Sequence, residues 1–150
     1  MNNPGIYNLG DASLAAINAA TAATVITSAS DEGGNSVGYI DGLEGMLGVT
    51  LQANFNYGSS GGTSIKADIE TTCDQGTTWV PIARFAFTTV SKETLFNLSG
   101  LTPKTTAVTP AALSDDSVVD GIFGDRLRCR ITTVGAYVGN ASLAIRAIAR

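Results

Sequence analysis

The eight residues Thr72-Cys-Asp-Gln-Gly-Thr-Thr-Trp79 carry the clearest structural signal in this chain. They join two strand-like stretches, residues 64–72 and residues 79–87, and apolar and polar side chains alternate through most of the first. Two such stretches joined by a short Gly-containing segment indicate a β-hairpin. The sequence therefore predicts an antiparallel β protein built outward from this hairpin.

Four residues of this segment are expected to build the hairpin itself. The carboxylate of Asp74 can accept hydrogen bonds from backbone N–H groups of the turn, and Gly76 can adopt the positive φ that a tight reversal needs. Trp79 is expected to fold back under the turn as an apolar anchor in the core. Together with Thr78 they resemble the Asp-box, Ser/Thr-x-Asp-x-Gly-x-Thr-Trp, of sialidases and of unrelated secreted and viral β proteins. The resemblance implies a β fold and little about chemistry.

Composition favours a single all-β domain whose surface is partly covered by neighbouring molecules. The chain has 150 residues, of which 17 are Gly and only 15% are charged. Such low charge suits short strands with Gly-rich turns and a surface partly covered by neighbouring molecules. The net charge is −4 and no basic run is present, so we expect no nucleic-acid partner. Residues 12–29 are apolar but interrupted by Asn18 and several threonines, so we predict neither a targeting segment nor a membrane span.

The residue types present argue against catalysis. The chain contains no histidine, which excludes Ser-His-Asp and Cys-His nucleophiles and imidazole metal ligands. We therefore predict no enzyme activity, no cofactor and no small-molecule substrate. Cys73 and Cys129 match no metal-binding spacing, and we expect two reduced thiols, with a disulfide as the alternative. Asp115, Asp116 and Asp120 are expected to cap turns rather than to bind a cation, because no calcium-loop spacing surrounds them. A sialidase-like propeller needs about four blades, so a single Asp-box here indicates a structural hairpin.

The chain is predicted to form an antiparallel β-sandwich, of jelly-roll or immunoglobulin-like topology, with an extended N-terminal arm. The arm covers residues 1–12 and the single domain covers residues 13–150, with a long loop at 99–125. Besides the hairpin, the hydrophobic pattern predicts five strands, at residues 22–28, 47–57, 92–98, 126–133 and 142–149.

Three arginines occupy alternate positions of one predicted strand, Arg126, Arg128 and Arg130. We interpret them as a solvated face or as ion-pair partners of Asp68 and Glu70 on a neighbouring strand. Binding of a sugar carboxylate or of an acidic protein surface is the alternative. Arg84 or Arg146 could extend the same stripe.

Three stretches of the chain resemble short structural proteins of tailed bacteriophages. They are Asp41-Gly-Leu-Glu-Gly-Met46, Thr71-Thr-Cys-Asp-Gln-Gly-Thr-Thr-Trp79 and Asp120-Gly-Ile-Phe-Gly-Asp-Arg-Leu-Arg128. The resemblance implies a virion protein, assembled in the host cytoplasm. We expect a capsid cement or decoration protein that binds the outside of the head and stabilises neighbouring subunits of the major capsid protein. A homotrimer is the expected assembly, since cyclic homo-oligomers are common.

The predicted contacts with neighbouring subunits lie in two segments. Asn2, Pro4 and Tyr7 belong to the arm, and Pro103 and Pro110 belong to the long loop. Both segments are rich in turn-forming residues and have little to bury within one domain. They are therefore expected to reach other molecules.

Two alternatives to the cement function follow from the same residues. One is a structural component of the tail or of the head-to-tail connector. The other is a carbohydrate-binding β-sandwich for host adsorption, which would need exposed aromatic side chains on one face. With Trp79 assigned to the core, Tyr39, Tyr57 and Tyr137 are the candidates for such a face.

Overall fold

Two antiparallel sheets enclose the hydrophobic core in the computed structural model, which describes residues 3–150. Aromatic side chains join the two layers: the rings of Phe55 and Phe87 lie 5.2 Å apart, and those of Phe85 and Phe96 lie 4.7 Å apart. The prediction of an all-β sandwich is confirmed.

In chain order the elements are β1 (Gly5–Ala12), α1 (Leu14–Ala19), β2 (Thr24–Val25), β3 (Tyr39–Ile40), β4 (Gly48–Asn56), β5 (Ser60–Gly61), β6 (Ser64–Thr72), β7 (Val80–Phe87), β8 (Lys92–Ser99), β9 (Ser117–Val118), β10 (Arg126–Val134), β11 (Tyr137–Val138) and β12 (Ser142–Ala149).

The strands are divided between a four-stranded and a six-stranded sheet. The four-stranded sheet has the order β1-β12-β4-β8. The six-stranded sheet has the order β2-β10-β6-β7-β9, and β3 also pairs with β10. The short strands β5 and β11 form a separate pair. Along β10, Leu127, Cys129 and Ile131 are buried while the arginines between them point outward, because successive side chains of a strand face opposite sides.

The β6–β7 hairpin contains a β-bulge that changes which side chains face the core. Ile69 lies opposite Ala83, whereas Glu70 lies opposite Pro81, so Ile82 is an extra residue in β7. Both Ile82 and Ala83 are fully buried. Proline lacks the N–H that a regular ladder position would donate, and bulges are among the sites in a sheet where it is tolerated.

The bulge places Trp79 on the outer side of the six-stranded sheet. Simple alternation backward from Phe87, which is buried, would point residue 79 inward, and the extra residue reverses that direction. Trp79 is half-buried and is not part of the hydrophobic core. The prediction that Trp79 anchors the hairpin in the core is therefore wrong.

The long connection crosses the outer side of the six-stranded sheet. Residues 100–125 contain one two-residue strand, β9, which pairs with β7. Arg84 Nη1 donates to the carbonyl of Leu113 at 2.6 Å, and Lys66 lies 3.0 Å from Asp115. The outward side chains of Asp68 and Glu70 are consequently buried, at 7% and 3% exposure.

The N-terminal segment differs from its prediction. Residues 5–12 are extended, but they are not an arm with little to bury, because β1 pairs with β12 along its whole length. Leu9 and Ala12 lie in the core, and Gly10 packs so closely on Ile26 that an added Cβ would come within 2.9 Å of it. A register shift between Asn8 and Gly10 interrupts the alternation, which hid this strand in the sequence.

The structure also differs from the prediction for the alanine-rich segment after β1. The strand predicted at 22–28 is reduced to Thr24–Val25, which pairs with β10. Residues Leu14–Ala19 instead form a helix that buries Ile17, as the high helix propensity of alanine allows. Within residues 3–150 this six-residue segment is the one α-helix. No helix there has the length and apolar character needed to cross a bilayer.

The docking of β1 can be tested with two neighbouring substitutions. Leu9→Ala should lower the free energy of unfolding by about 2–5 kcal/mol, because it leaves a cavity in the core. Ile6→Ala should change it by no more than about 0.5 kcal/mol, because that side chain is 73% exposed. Urea denaturation measures both values, and equal effects of the two substitutions would contradict the docked strand.

Candidate functional site

The hairpin turn is held by one carboxylate and one hydroxyl. Asp74 Oδ1 accepts from the backbone N–H of Thr78 at 2.8 Å and from Thr72 Oγ1 at 2.7 Å. Thr72 Oγ1 in turn accepts from the backbone N–H of Gly76 at 3.0 Å. The hydrogen bond from the Thr78 amide, followed by that from Thr72, lowers the pKa of Asp74 below its ordinary value. Gly76 has a φ of 96°, and Gln75 before it has a φ of 58°, which is unusual for a residue with a side chain.

Beyond the turn, two aromatic rings and two guanidinium groups form one surface. The guanidinium carbon of Arg128 lies 4.2 Å from the centroid of the Trp79 ring, and that of Arg126 lies 5.1 Å from the Tyr39 ring. The two rings are 6.4 Å apart and inclined at 46°. Trp79 Nε1 donates to the carbonyl of Gly76 at 3.0 Å, which fixes the indole against the turn. We call Tyr39, Trp79, Arg126 and Arg128 the aromatic–arginine surface.

The arginines are paired with acidic residues across the sheet. Glu70 Oε2 accepts from Arg128 Nε at 2.6 Å, and Glu70 Oε1 lies 3.3 Å from Arg130 Nε. One strand further, Arg84 pairs with Asp68 at 2.6 Å. The predicted cross-strand pairing is thus confirmed for Arg128 and Arg130, which both pair with Glu70. Arg126 instead lies 3.4 Å from Asp125, its neighbour in the chain.

Arg146 does not extend this stripe. It lies on β12 of the other sheet, where it pairs with Asp11 at 2.9 Å.

Two adjoining grooves border the aromatic–arginine surface. One, of about 350 Å³, is lined by Tyr39, Trp79, both arginines and Gln75. The second, of about 500 Å³, is lined by acidic side chains together with Gln75 and Arg126, which are common to both grooves. The acidic side chains are Glu32, Asp41, Glu44 and Asp125.

The three tyrosines considered for a sugar platform do not share one face. Tyr137 is buried and donates its hydroxyl hydrogen bond to the carbonyl of Thr88 at 2.8 Å. Tyr57 packs edge-on against Tyr137, at 5.9 Å between ring centroids. Only Tyr39 joins the surface at the hairpin, and its aromatic neighbour there is Trp79. Pro81, which marks the bulge, was the sequence signal that could have revealed this pair.

The outer side of the four-stranded sheet forms a second candidate surface. Ile6 lies beside Ile148 at one edge of the sheet, and Leu95 lies on the opposite edge strand. Thr50, Gln52 and Arg146 lie between these apolar side chains. Ile6 is 73% and Leu95 58% exposed. We call this the bare sheet face; its members are Ile6, Thr50, Gln52, Leu95, Asn97, Arg146 and Ile148.

The residues predicted to contact neighbouring subunits are spread over the molecule. Pro4, Pro103 and Pro110 are exposed. Tyr7 packs against the edge of the core, and its hydroxyl donates to the carbonyl of Asn3. Asn2 lies outside the residues that the structure describes.

The two cysteines are free thiols, with Cys73 exposed and Cys129 buried on the inner side of β10, so the disulfide alternative does not apply.

The aspartates of the long loop bind protein groups. Asp116 accepts from the backbone N–H of Ala86 at 3.0 Å and pairs with Lys92 at 2.8 Å. Asp120 accepts from the backbone N–H of Ser99 at 2.9 Å. Within the described part of the chain, no three Cys, Asp or Glu side chains come together in a way that could hold a metal ion.

Glu70 should be the most sensitive charged residue of the sheet. Replacing it by Gln leaves Arg128 and Arg130 without their carboxylate, and we expect a loss of about 2–4 kcal/mol in the free energy of unfolding. This is below the ~3–5 kcal/mol of fully buried pairs because both arginines keep some access to water. The exposed pair Arg146–Asp11 provides the control, since Asp11→Asn should cost no more than about 1 kcal/mol. Denaturant unfolding compares the two variants, and similar losses would contradict the structural role of Glu70.

The backbone amide of Thr78, which donates to Asp74, should report the protonation of that carboxylate. Since its pKa is lowered in the folded chain, its ionised form contributes stability above the unfolded-state pKa, and that contribution is lost as the pH falls through the folded-state pKa. The amide resonance of Thr78, followed by NMR, should therefore titrate with a midpoint below the ordinary value of 3.8. In Asp74→Asn, which keeps an acceptor oxygen but cannot ionise, this titration should disappear. A midpoint at or above the ordinary value would be inconsistent with the hydrogen bonds described.

Comparison with other proteins identifies no relative. No protein-family model, no curated protein and no solved structure matches this chain. Its function is therefore inferred from its own residues and their arrangement.

Proposed function

We propose that this chain is a non-enzymatic structural protein of a virion, a cement protein that docks through its bare sheet face onto the outside of a capsid. The observation that carries the proposal is the contrast between the two sheets. The outer side of the six-stranded sheet is crossed by the long connection, whereas Ile6 and Leu95 of the four-stranded sheet project into solvent. An uncovered sheet face that exposes large apolar side chains at both edges is the surface through which we expect the chain to bind another protein.

The bare sheet face is mostly neutral, which suits binding to another protein surface. Arg146 is paired with Asp11 within the chain, and Gln52 donates to the carboxylate of Glu93 beside the face. A partner therefore gains contact area over the neutral side chains while the Arg146–Asp11 ion pair stays intact. Four strands of this length span roughly 20 by 27 Å, which approaches the patch size of a standard protein interface.

The partner in this proposal is the major capsid protein, and the assembly is a homotrimer at the local three-fold positions of the shell. The resemblance of three segments to phage virion proteins supports this choice. Each contact can be weak, because many copies bound by symmetry raise the total avidity. The exposed Pro4, Pro103 and Pro110 are proposed as additional contacts with neighbouring subunits.

Charge introduced into the bare sheet face should weaken attachment. In the double variant Ile6→Glu and Leu95→Glu, two carboxylates would have to be buried at the interface, and we expect co-sedimentation with heads that lack the protein to fall by about tenfold or more. Val134→Glu is the matched control, because Val134 is 55% exposed on the outer side of the other sheet. Both variants should unfold like the unmodified protein, since the substituted side chains are exposed. Full binding by the double variant would overturn the proposed docking face.

The site of the chain in an intact particle tests the cement function itself. Electron cryo-microscopy should find the protein on the outer surface of the head. A position on the tail or at the head-to-tail connector would replace this proposal by the alternative structural role.

A further inference from the structure

We propose that the groove lined by Tyr39 and Trp79 binds a neutral oligosaccharide. The two rings, each with an arginine on one face, would supply apolar contact to the sugar. Gln75, Arg126 and the adjoining carboxylates would bind the sugar hydroxyls. This inference goes beyond the proposed capsid attachment and does not depend on it, because the groove and the bare sheet face belong to different sheets.

The shape of the site is that of a ligand groove. Its volume of about 350 Å³ lies within the range of small-molecule sites, roughly 300–1,000 Å³. Gln75 and Arg126 also line the acidic groove of about 500 Å³, so the two grooves adjoin at these side chains. We expect a chain of several sugar units to extend from one groove to the other, whereas a single small ion would leave both largely empty.

The charges around the groove favour a neutral ligand over an anion. Arg128 already donates to Glu70, and Arg126 Nε lies 3.4 Å from Asp125 Oδ2. The adjoining groove contributes further carboxylates, from Glu44 among others. An anionic ligand would gain little from compensated guanidinium groups and would be repelled by these acids. Sugar hydroxyls both donate and accept, so they can bind N–H groups and carboxylate oxygens within the same site.

The side chains of the groove are held in place before any ligand binds. The indole of Trp79 is fixed by its hydrogen bond to the carbonyl of Gly76 and by the guanidinium group of Arg128 on its ring. Such preorganisation reduces the entropy that binding would otherwise cost.

Gln75 provides an independent indication. Its φ of 58° is a conformation that glycine adopts without strain, yet a glutamine occupies the position and its side chain lines both grooves. Strained residues of this kind cluster at binding sites. The strain is therefore consistent with a side chain retained for contact with a ligand.

The single tryptophan of the chain makes the test direct, because all indole fluorescence arises from Trp79 in the groove. The full chain is titrated with maltohexaose, cellohexaose, chitohexaose and penta-galacturonate. We expect a saturable change in fluorescence with at least one of the three neutral oligosaccharides and a weaker response to the acidic one. Tyr39→Ala should weaken the binding by about tenfold, the loss expected for one aromatic contact.

Two further variants separate binding from folding and from capsid attachment. Gln75→Gly should weaken oligosaccharide binding while the midpoint of urea unfolding stays equal or rises, because glycine relieves the positive φ. The Ile6→Glu, Leu95→Glu variant should bind the oligosaccharide normally. The proposal is overturned if no neutral oligosaccharide gives a saturable change, if only penta-galacturonate binds, or if Tyr39→Ala and Gln75→Gly keep full affinity. None of these outcomes bears on attachment through the bare sheet face.

Discussion

The extra residue at Ile82 determines what the two sides of the hairpin present. Pro81 cannot donate to a regular ladder, and the bulge beside it places both Ile82 and Ala83 in the core. Every residue between the bulge and the turn then faces the side of the sheet opposite to the one that simple alternation predicts. Trp79 consequently meets Arg128 on the outer side of the sheet instead of entering the core. The surface at the hairpin depends on this single irregularity.

The charged side chains on the outer side of the six-stranded sheet are paired mainly with one another. Asp68 and Glu70 are nearly inaccessible, and burying their charges is tolerable only because Arg84, Arg128 and Arg130 lie opposite them. The long connection completes the layer, with the Leu113 carbonyl accepting from Arg84. The four-stranded sheet has no such covering within residues 3–150, and its exposed side chains are apolar or neutral over most of its area. The two faces are thus suited to different roles, and only the bare sheet face offers a broad surface to another protein.

The sequence predicts the regular parts of this fold well, and the reason is physical. In β4, β10 and β12, one side of each strand is buried and the other is not, so the alternation of side chains is visible over eight or nine residues. The same rule placed the arginines of β10 and the acids of β6 on one face, which is why their pairing could be anticipated. Tyr39 could not be placed in this way, because β3 has only two residues and pairs with β10, nearly ninety positions later in the chain. Its meeting with Trp79 is a consequence of sheet topology, which local patterns do not encode.

The two incorrect predictions of burial, for residues 5–12 and for Trp79, both arise at β-bulges. The two bulges have the same effect on the strands that contain them. In β1 the register shift between Asn8 and Gly10 buries Leu9 and Gly10 in succession, as the other bulge buries Ile82 and Ala83. Without it, counting back from Ala12, which is buried, would turn Ile6 toward the core. Each bulge therefore directs one large apolar side chain outward, Ile6 onto the bare sheet face and Trp79 into the groove. Bulges are known to re-aim side chains near functional sites. The two surfaces to which we assign binding are those where the sandwich departs from its regular pattern.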